Sequence, residues 1–493
     1  MKSQSEKSQN KPLRDVSDIR RFFHRNETPV YFISATNFNL LGADEWVKTF
    51  NFINYIDCFD GQHPNVFVPG ELPHDVFESI EDINNYLLEH KEVADFIARR
   101  GPGGKAMFLM FDEKTEELAE ELGLEICFPP ARLRQHLDNK IVTTRIADEA
   151  GVECVPNVLA SVDSYETLRR ISGDLGPDLV IQTPFGDSGH TTFFVSSEDD
   201  WSRYAEEIVE EPEVKVMKRI RPRGTAVEAC VTRHGTIVAP LMTELVAFDE
   251  LTPYKGGWCG NEIFADVFDE AVREQARRAT YAIGERLKEE GYRGYFELDF
   301  LIDEDTNKLY LGEMNPRITG ASSITNHTVF ALADAPLFLF HLLEWMDVDY
   351  ELDVQQLNQR WARPENIDTW SQLVIKHTSD TVEVLTKAPP TGIWRIDDEG
   401  EVRFSRFDTH RRAVESEAEA FFIRISNRRD YQYEGADLGI LVTRGRLMTP
   451  DFRLNDRAKA WIRGIKSRFE TETSSRSEAE SRARVTPSAF KIL

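Results

Sequence analysis

Phe296-Glu-Leu-Asp-Phe300, followed one hairpin later by Gly312-Glu-Met-Asn-Pro-Arg-Ile-Thr-Gly320, is the stretch on which the reading of this chain turns. Side chains on a strand alternate with a period of two, so Glu297 and Asp299 share one face while Phe296, Leu298 and Phe300 share the other. Glu313 and Asn315 likewise share a face on the next run, and the polar segment 303–307 between the runs reads as their turn. Paired as antiparallel neighbours, the two strands bring three carboxylates and an amide oxygen to one patch. Such hard oxygen donors suit Mg²⁺, which takes a few carboxylates and completes its shell with substrate phosphates. Arg317, two residues on, offers a planar fork suited to phosphate or acyl phosphate. The competing account is a solvated acidic sheet face; the apolar back of the first strand and the Pro-Arg-x-x-Gly turn after the second weigh against it.

Working outward, the pattern is mixed. Residues 136–151 show helical periodicity that stops at Gly151 before the Pro156 break, and Asp163 or Ser164 caps a further helix. Strand-like runs follow at 178–182, 191–195, 214–220, 226–232 and 236–240, then a long charged helix over 269–291. Upstream, Tyr31-Phe-Ile-Ser-Ala35 and Ala106-Met-Phe-Leu-Met-Phe111 bracket a helical stretch at 76–99, a βα pattern that predicts a parallel sheet. Downstream, short alternating runs at 370–375, 381–385, 392–396 and 401–404 predict a β-rich domain ending in a helix over 456–468. The expected organisation is a flexible N-terminus at 1–20, an α/β domain at 21–135, a mixed α/β domain at 136–350, a β-rich domain at 351–469 and a flexible tail at 470–493.

The formal charge of −26 disfavours a nucleic-acid partner. No apolar run is long enough to span a bilayer and no apolar signal core opens the chain, which excludes a membrane role and predicts the cytoplasm. The five cysteines show neither CxxC spacing nor metal-ligand pairing with histidine, and read as reduced, mostly buried thiols. Arg100-Gly-Pro-Gly-Gly-Lys105 lacks the Ser or Thr and the following helix of a Walker loop, so it reads as a tight turn.

The acidic hairpin with its following arginine resembles the C-terminal signature of the ATP-grasp superfamily, and the order of the preceding segments agrees with it. The resemblance implies an α/β (α+β) ATP-grasp fold with an N-terminal parallel α/β domain and a β-rich C-terminal domain. It makes Lys140, in Leu137-Asp-Asn-Lys140, the phosphate-binding lysine of the entry helix. Val180-Ile-Gln-Thr-Pro-Phe-Gly-Asp-Ser-Gly-His-Thr192 is similar to the strand and loop that fold over the triphosphate, with Gly186, Ser188 and Gly189 offering backbone N–H groups; His190 reads as structural. The family places a second lysine near Gln182, where this chain has an amide, and Lys218 is the expected compensating cation. Val214-Lys-Val-Met-Lys-Arg-Ile220, with Glu228 beyond it, resembles the adenine hinge, which implies nucleotide contacts at Met217, Lys218, Arg219 and Glu228. Thr252-Pro-Tyr-Lys-Gly-Gly-Trp-Cys-Gly-Asn261 reads either as a surface loop or as a lid carrying Lys255 to the γ-phosphate.

The Asn-Pro-Arg-x-x-Gly form is similar to ligases that make amide or peptide bonds. The resemblance then implies ATP with Mg²⁺, or Mn²⁺ on the same oxygens, held by Glu313, Asn315 and either Glu297 or Asp299. Arg317 stabilises the acyl phosphate, Lys255 closes on the γ-phosphate, and Gly320, Ala321, Ser322 and Ser323 line the acyl pocket. Substrates are a small-molecule carboxylate and an amine, and the resemblance accommodates a homodimer. Biotin carboxylase shares the layout, but the segment after its motif carries acidic residues that Ile318-Thr-Gly-Ala-Ser-Ser-Ile-Thr325 lacks. A non-catalytic nucleotide-binding grasp protein is the third alternative. Acceptor choice is expected to rest on 36–39 and on the basic stretch Arg424-Ile-Ser-Asn-Arg-Arg429.

Overall fold

The computed structural model describes residues 12–70, 77–186, 191–326 and 334–473. Strands β1 (Val30–Ser34), β2 (Phe50–Asn54), β3 (Val66–Phe67), β4 (Lys105–Phe108) and β5 (Glu125–Ile126) form a parallel sheet in the order β3-β2-β1-β4-β5. Every residue of β1, β2 and β4 is buried, Asn51, Asn54 and Lys105 included, as in a parallel sheet covered on both faces. The helical stretch predicted over 76–99 is two helices, Ile80–Glu89 and Lys91–Ala98, broken where His90 turns extended and its ring caps the second. The flexible N-terminus expected over 1–20 is corrected in part. A helix runs over Val16–His24, capped by Asp15, because Ile19 and Phe23 bury completely.

Strands β6 (Asn157–Ala160), β7 (Leu179–Gln182), β8 (Thr192–Val195) and β9 (Val214–Lys218) make a separate antiparallel sheet in the order β6-β9-β7-β8. One face packs Leu179, Ile181, Val214 and Val216 with Leu168, Trp201 and Ile208 from the helices Tyr165–Ile171 and Glu198–Val209. The other face, carrying Val180, Gln182, Lys215 and Met217, turns towards the large sheet, where Val180 and Met217 pack with Tyr310 and Leu301.

The large sheet has eleven strands. β10 (Pro222–Thr232), β11 (Gly235–Val238), β12 (Met242–Val246), β13 (Trp258–Ile263), β14 (Gly294–Asp303) and β15 (Lys308–Asn315) continue into β16 (Trp370–Lys376), β18 (Gly392–Ile396), β19 (Val402–Arg406), β20 (Glu419–Arg424) and β22 (Asp437–Arg444). The order is β15-β14-β10-β12-β13-β16-β22-β20-β18-β19, with β11 paired to β10. The β-rich region beyond 350 is therefore an extension of the same large sheet through the β13/β16 pair. Part of the stretch read as a loop or lid over 252–261 is strand β13. Its Gly260 sits at φ +137 with the Gln372 carbonyl where a Cβ would be, so the glycine marks close strand packing and not a loop. A three-stranded sheet joins β17 (Glu383–Lys387), β21 (Tyr431–Gln432) and β23 (Glu470–Thr473). Residues 470–473, expected in a flexible tail, are thus a strand. Its side chains are exposed, and the main-chain ladder with the Lys387–Glu470 ion pair holds it. Among the described residues no helix is long and apolar enough to cross a membrane, and the five cysteines are free, four of them buried.

Candidate functional site

β14 and β15 pair antiparallel with Glu297 opposite Asn315 and Asp299 opposite Glu313. The Asn315 amide donates to Asp299 Oδ2 (3.1 Å) and Glu297 Oε2 (3.4 Å), and Arg317 Nη2 donates to Asn315 Oδ1 (2.9 Å). Arg317 Nε is buried with no partner. A fourth carboxylate, Glu244 of β12, was not anticipated; it lies over Gly224 of β10, where a Cβ would come within 2.6 Å of its Oε2. Burial pushes Asp299 up to about 7, with Glu313 adding to it, and pushes Glu297 and Glu244 well above the carboxylate range, with Asp299 the next cause for each. So many acids in one desolvated patch ionise together only when cations enter. Yet among the described residues no three His, Cys, Asp or Glu side chains form a metal cage by themselves. The donor set therefore fits an ion that completes its shell with ligand oxygens, as Mg²⁺ does on a nucleotide. Of the two alternatives for a third ligand, Asp299 stands across from Glu313, while Glu297 stands across from Glu228 on β10.

Lys140 opens the helix Lys140–Ala150, capped by the Asn139 side chain on the amides of Ile141 and Val142. Its ammonium, on a buried stem, donates to Glu313 Oε1 (2.9 Å) and to the Gly186 carbonyl (2.7 Å), and its amide donates to Pro184 O (2.8 Å). It thus ties the loop after β7 to the acidic pair. Ser188, Gly189 and His190 lie outside the described residues. Gln182 donates to Thr192 Oγ1 (3.3 Å) and stands opposite Lys215 in the β7/β9 register. Lys218, the expected compensating cation, falls on the other face of β9 with Val214 and Val216 and is exposed, so the period-two geometry excludes it from the cleft side.

Beside this patch, Val155, Met217 and Tyr310, flanked by Val180, Ile220 and Leu301, pack as a small apolar cluster between the two sheets. Of the hinge residues, Met217 belongs to it. The amides of Lys218 and Arg219 are spent on Pro156 O (2.9 Å) and Asp178 O (3.1 Å), and the Arg219 guanidinium lies 5.1 Å over the Phe194 ring. Glu228 is a correction: it is fully buried away from the hinge, accepting from Tyr295 Oη (2.6 Å), Ser322 Oγ (2.5 Å) and Thr319 Oγ1 (3.2 Å), and burial lifts it to about 6. It braces the loop after β15. Lys255 is exposed in a loop whose Tyr254 hydroxyl donates to Glu434 O (3.4 Å) beyond β21, so the structure does not bring it to the patch.

The loop after β15 forms the other wall. A Cβ on Gly320 would overlap the Trp258 ring. Ser323 Oγ donates to Gln372 Oε1 (2.9 Å), and Gln372 Nε2 donates to Gly320 O (2.9 Å) and Asn261 Oδ1 (3.2 Å). Asn39 Nδ2 donates to Thr319 O (3.0 Å), which brings the 36–39 segment to this loop. Arg411, fully buried, donates through Nη2 to Ser323 O while its Nε and Nη1 have no partner; the Asn37 amide and Asn261 Nδ2 are also unpaired. Arg424, expected to hold a substrate carboxylate, is instead gripped by Asp60 through both nitrogens (3.2 and 2.6 Å). The unanticipated residues are thus Glu244, Asn261, Gln372, Arg411 and Lys215. Only Lys215 carried a local signal, a lysine inside the apolar run Val214-Lys-Val-Met217.

Residues 139–334 match the family model described as "Carbamoyl-phosphate synthase L chain, ATP binding domain". The chain is 23% identical over 267 residues to pyruvate carboxylase of Aspergillus niger, a match that covers 51% of this chain and 21% of that protein. The chain therefore spans about a fifth of the length of that relative. Among solved structures it is similar to the biotin carboxylase domain dimer of Hydrogenobacter thermophilus 2-oxoglutarate carboxylase, determined with MgADP, ADP and bicarbonate (TM-score 0.58, 13% identity, 92% of each chain). It is also similar to carboxyaminoimidazole ribonucleotide synthase of Aspergillus clavatus complexed with ATP (TM-score 0.52, 13% identity, 90% of this chain and 100% of that one).

Proposed function

We propose, from the premise that this chain is an ATP-grasp protein, that it is an ATP-dependent ligase which activates a carboxylate as an acyl phosphate and couples it to an amine, releasing ADP and phosphate. The observation that carries the reading is the position of Lys140. Its ammonium touches both the loop beside Gln182 and Glu313, whose strand partner is Asp299. A polyanion entering between that loop and the acidic pair meets a lysine already in place.

In this reading Asp299, Glu313 and Asn315 would hold Mg²⁺, which supplies charge neutralisation between neighbouring phosphates; Mn²⁺ suits the same oxygens. The apolar cluster at Met217, Val155 and Tyr310 takes the base. The substrate carboxylate oxygen attacks the γ-phosphorus in line, breaking its bond to ADP, and the amine then attacks the acyl carbon and expels phosphate. Arg317, which donates to Asn315 Oδ1 and whose Nε has no partner, would meet the transferred phosphate. Gln372 and Ser323 hold the loop at Gly320 against Asn261, so the acyl wall is fixed before substrate arrives. A homodimer belongs to the same proposal and is checked by light scattering.

A second reading, ATP-dependent carboxylation from bicarbonate, has one observation in its favour. The loop 318–325 lacks an acid of its own, but Glu228 reaches it from β10 and binds Thr319 and Ser322. Release of ADP and phosphate, measured with pools of amino acids and other carboxylates and separately with bicarbonate plus biotin, separates the readings. Turnover only with bicarbonate and biotin would replace the ligase, and tight MgATP binding without turnover in any mixture would support a binding protein.

A further inference from the structure

Lys215 is the buried charge that the proposed chemistry leaves unexplained. It is 1% exposed, and neither a hydrogen bond nor an ion pair to its ammonium is found among the described residues. Retiring an ammonium from water without a counter-charge is costly, and its ordinary remedy is a paired anion. After burial itself, the groups that act on it are Cys154, Glu313, Lys140 and Asp148. Two lysines therefore share one neighbourhood, and Lys140 already occupies Glu313. The Lys215 ammonium is left with no carboxylate of its own among the described residues.

Its position on β9 says what shape a counter-charge takes. Lys215 lies directly opposite Gln182, and on the same face, two residues on, Met217 stands opposite Val180 and belongs to the apolar cluster with Val155 and Tyr310. Gln182 leads straight into the loop whose Gly186 carbonyl meets Lys140. On this face of β9 Lys215 follows the apolar cluster at Met217, and Lys140 joins the loop after Gln182 to Glu313, the strand partner of Asp299. A molecule with a flat apolar head and a polyanionic tail suits that arrangement.

We propose that Lys215 binds the phosphates of the nucleotide, delivering from β9 the positive charge that Gln182 cannot supply from β7. The proposal rests on the ATP-grasp reading above. Hook and apolar cluster then share one strand, since Met217 and Lys215 are two residues apart, and the base and the phosphates are registered against each other by strand geometry alone.

The test is calorimetric titration of the full chain with MgADP and with adenosine, which has no phosphate, for the wild type, K215M, K215R and the double variant Q182K/K215Q. The loss of a charge-assisted hydrogen bond to phosphate predicts MgADP binding weakened by about 10- to 100-fold in K215M. Adenosine affinity should stay unchanged, K215R should hold within a few-fold of wild type, and the double variant should regain most of the loss because the charge returns across the same rung. K215M binding MgADP like wild type would overturn the proposal, and so would an equal loss of adenosine, which would make Lys215 a support of the apolar cluster. Should K215M fail to fold, K215R and the double variant decide: weak MgADP binding in both, with adenosine binding intact, rules the charge role out. A wild-type chain that binds neither ligand would refute the nucleotide site as a whole, a failure distinct from that of Lys215.

Discussion

Replacing Arg411 by methionine should make the protein more stable and less active. The guanidinium is fully buried, with one hydrogen bond to the Ser323 carbonyl and its Nε and Nη1 unpaired. Burial, together with neighbouring Arg412, pushes its pKa down, so the fold is strained by this charge. On the favourable side stand one charged hydrogen bond, about 1.5–3 kcal/mol, and a cation–π contact 5.6 Å from the Trp370 centroid, about 1–2 kcal/mol. Against them stand two unsatisfied buried donors at about 1–3 kcal/mol each and several kcal/mol of ion desolvation. Methionine fills a similar volume without the charge, and Arg444, 4.7 Å from the same ring, keeps Trp370 covered. The balance favours the variant by about 1–4 kcal/mol, as for other buried charges exchanged for apolar residues. Calorimetry on the full chain should show the melting temperature of the unit containing β16 rising, at about 2–4 °C per kcal/mol for a cooperative unit of 150–250 residues. ADP release with the competent substrates should fall at the same time. A lower melting temperature would refute the reasoning, because it would mean that Arg411 is a structural tie.

Glu313→Gln should cut ADP release by at least about 100-fold in a coupled assay, since it removes a charge from both the Asp299 pair and Lys140; retained turnover would remove the metal assignment. Gly320→Ala should destabilise by about 1–3 kcal/mol and impair turnover, because the added methyl meets the Trp258 ring; an unchanged thermal midpoint would show that the ring yields freely. The pH dependence follows from Asp299, which burial and then Glu313 lift to about 7. Between the unfolded value near 4 and about 7, the folded chain holds a proton that the unfolded chain does not, so ligand-free stability should fall as pH rises through that window. Mg²⁺-dependent ADP affinity should move the other way, strengthening from pH 6 to pH 8 as the carboxylate becomes available; an affinity flat across that range in titration calorimetry would detach Asp299 from the cation.

The faces shared by Glu297 with Asp299 and by Glu313 with Asn315 were legible, because strand alternation and a short turn are local properties; the register that sets Asp299 opposite Glu313, with its shift after Asp299, was not. The helix Lys140–Ala150 was legible for the same reason at its end, where Gly151 sits at φ +68, while its start, expected at 136, lies after the Asn139 cap because residues 136–137 belong to the preceding helix Ala131–Leu137. What could not be read was long-range pairing. Lys215 meets Gln182 only through the β7/β9 register, so the search for a second cation settled on Lys218, three residues along and on the wrong face. Glu244, Asn261 and Gln372 come together because β12, β13 and β16 lie side by side. β13 itself was hidden because Gly260, which reads as a loop breaker, is the residue that lets two backbones approach. Arg411 gave no signal, since nothing local distinguishes a buried arginine from the exposed Arg412 beside it.

The pairing of β13 with β16 also bears on how this protein could be dismantled. Sequence composition suggests a cassette boundary near residue 350, yet a chain ended there would strip β13 of a neighbour along Gly260–Ile263, leaving a raw edge open to intermolecular pairing. It would also take away Gln372, and with it the clasp on the Gly320 carbonyl. Exchanging the C-terminal region for that of another protein would therefore replace a brace of the loop after β15 along with the appendage. The large sheet and its extension form one structural unit, and a graft must keep β16 and its partner β22 together with β13.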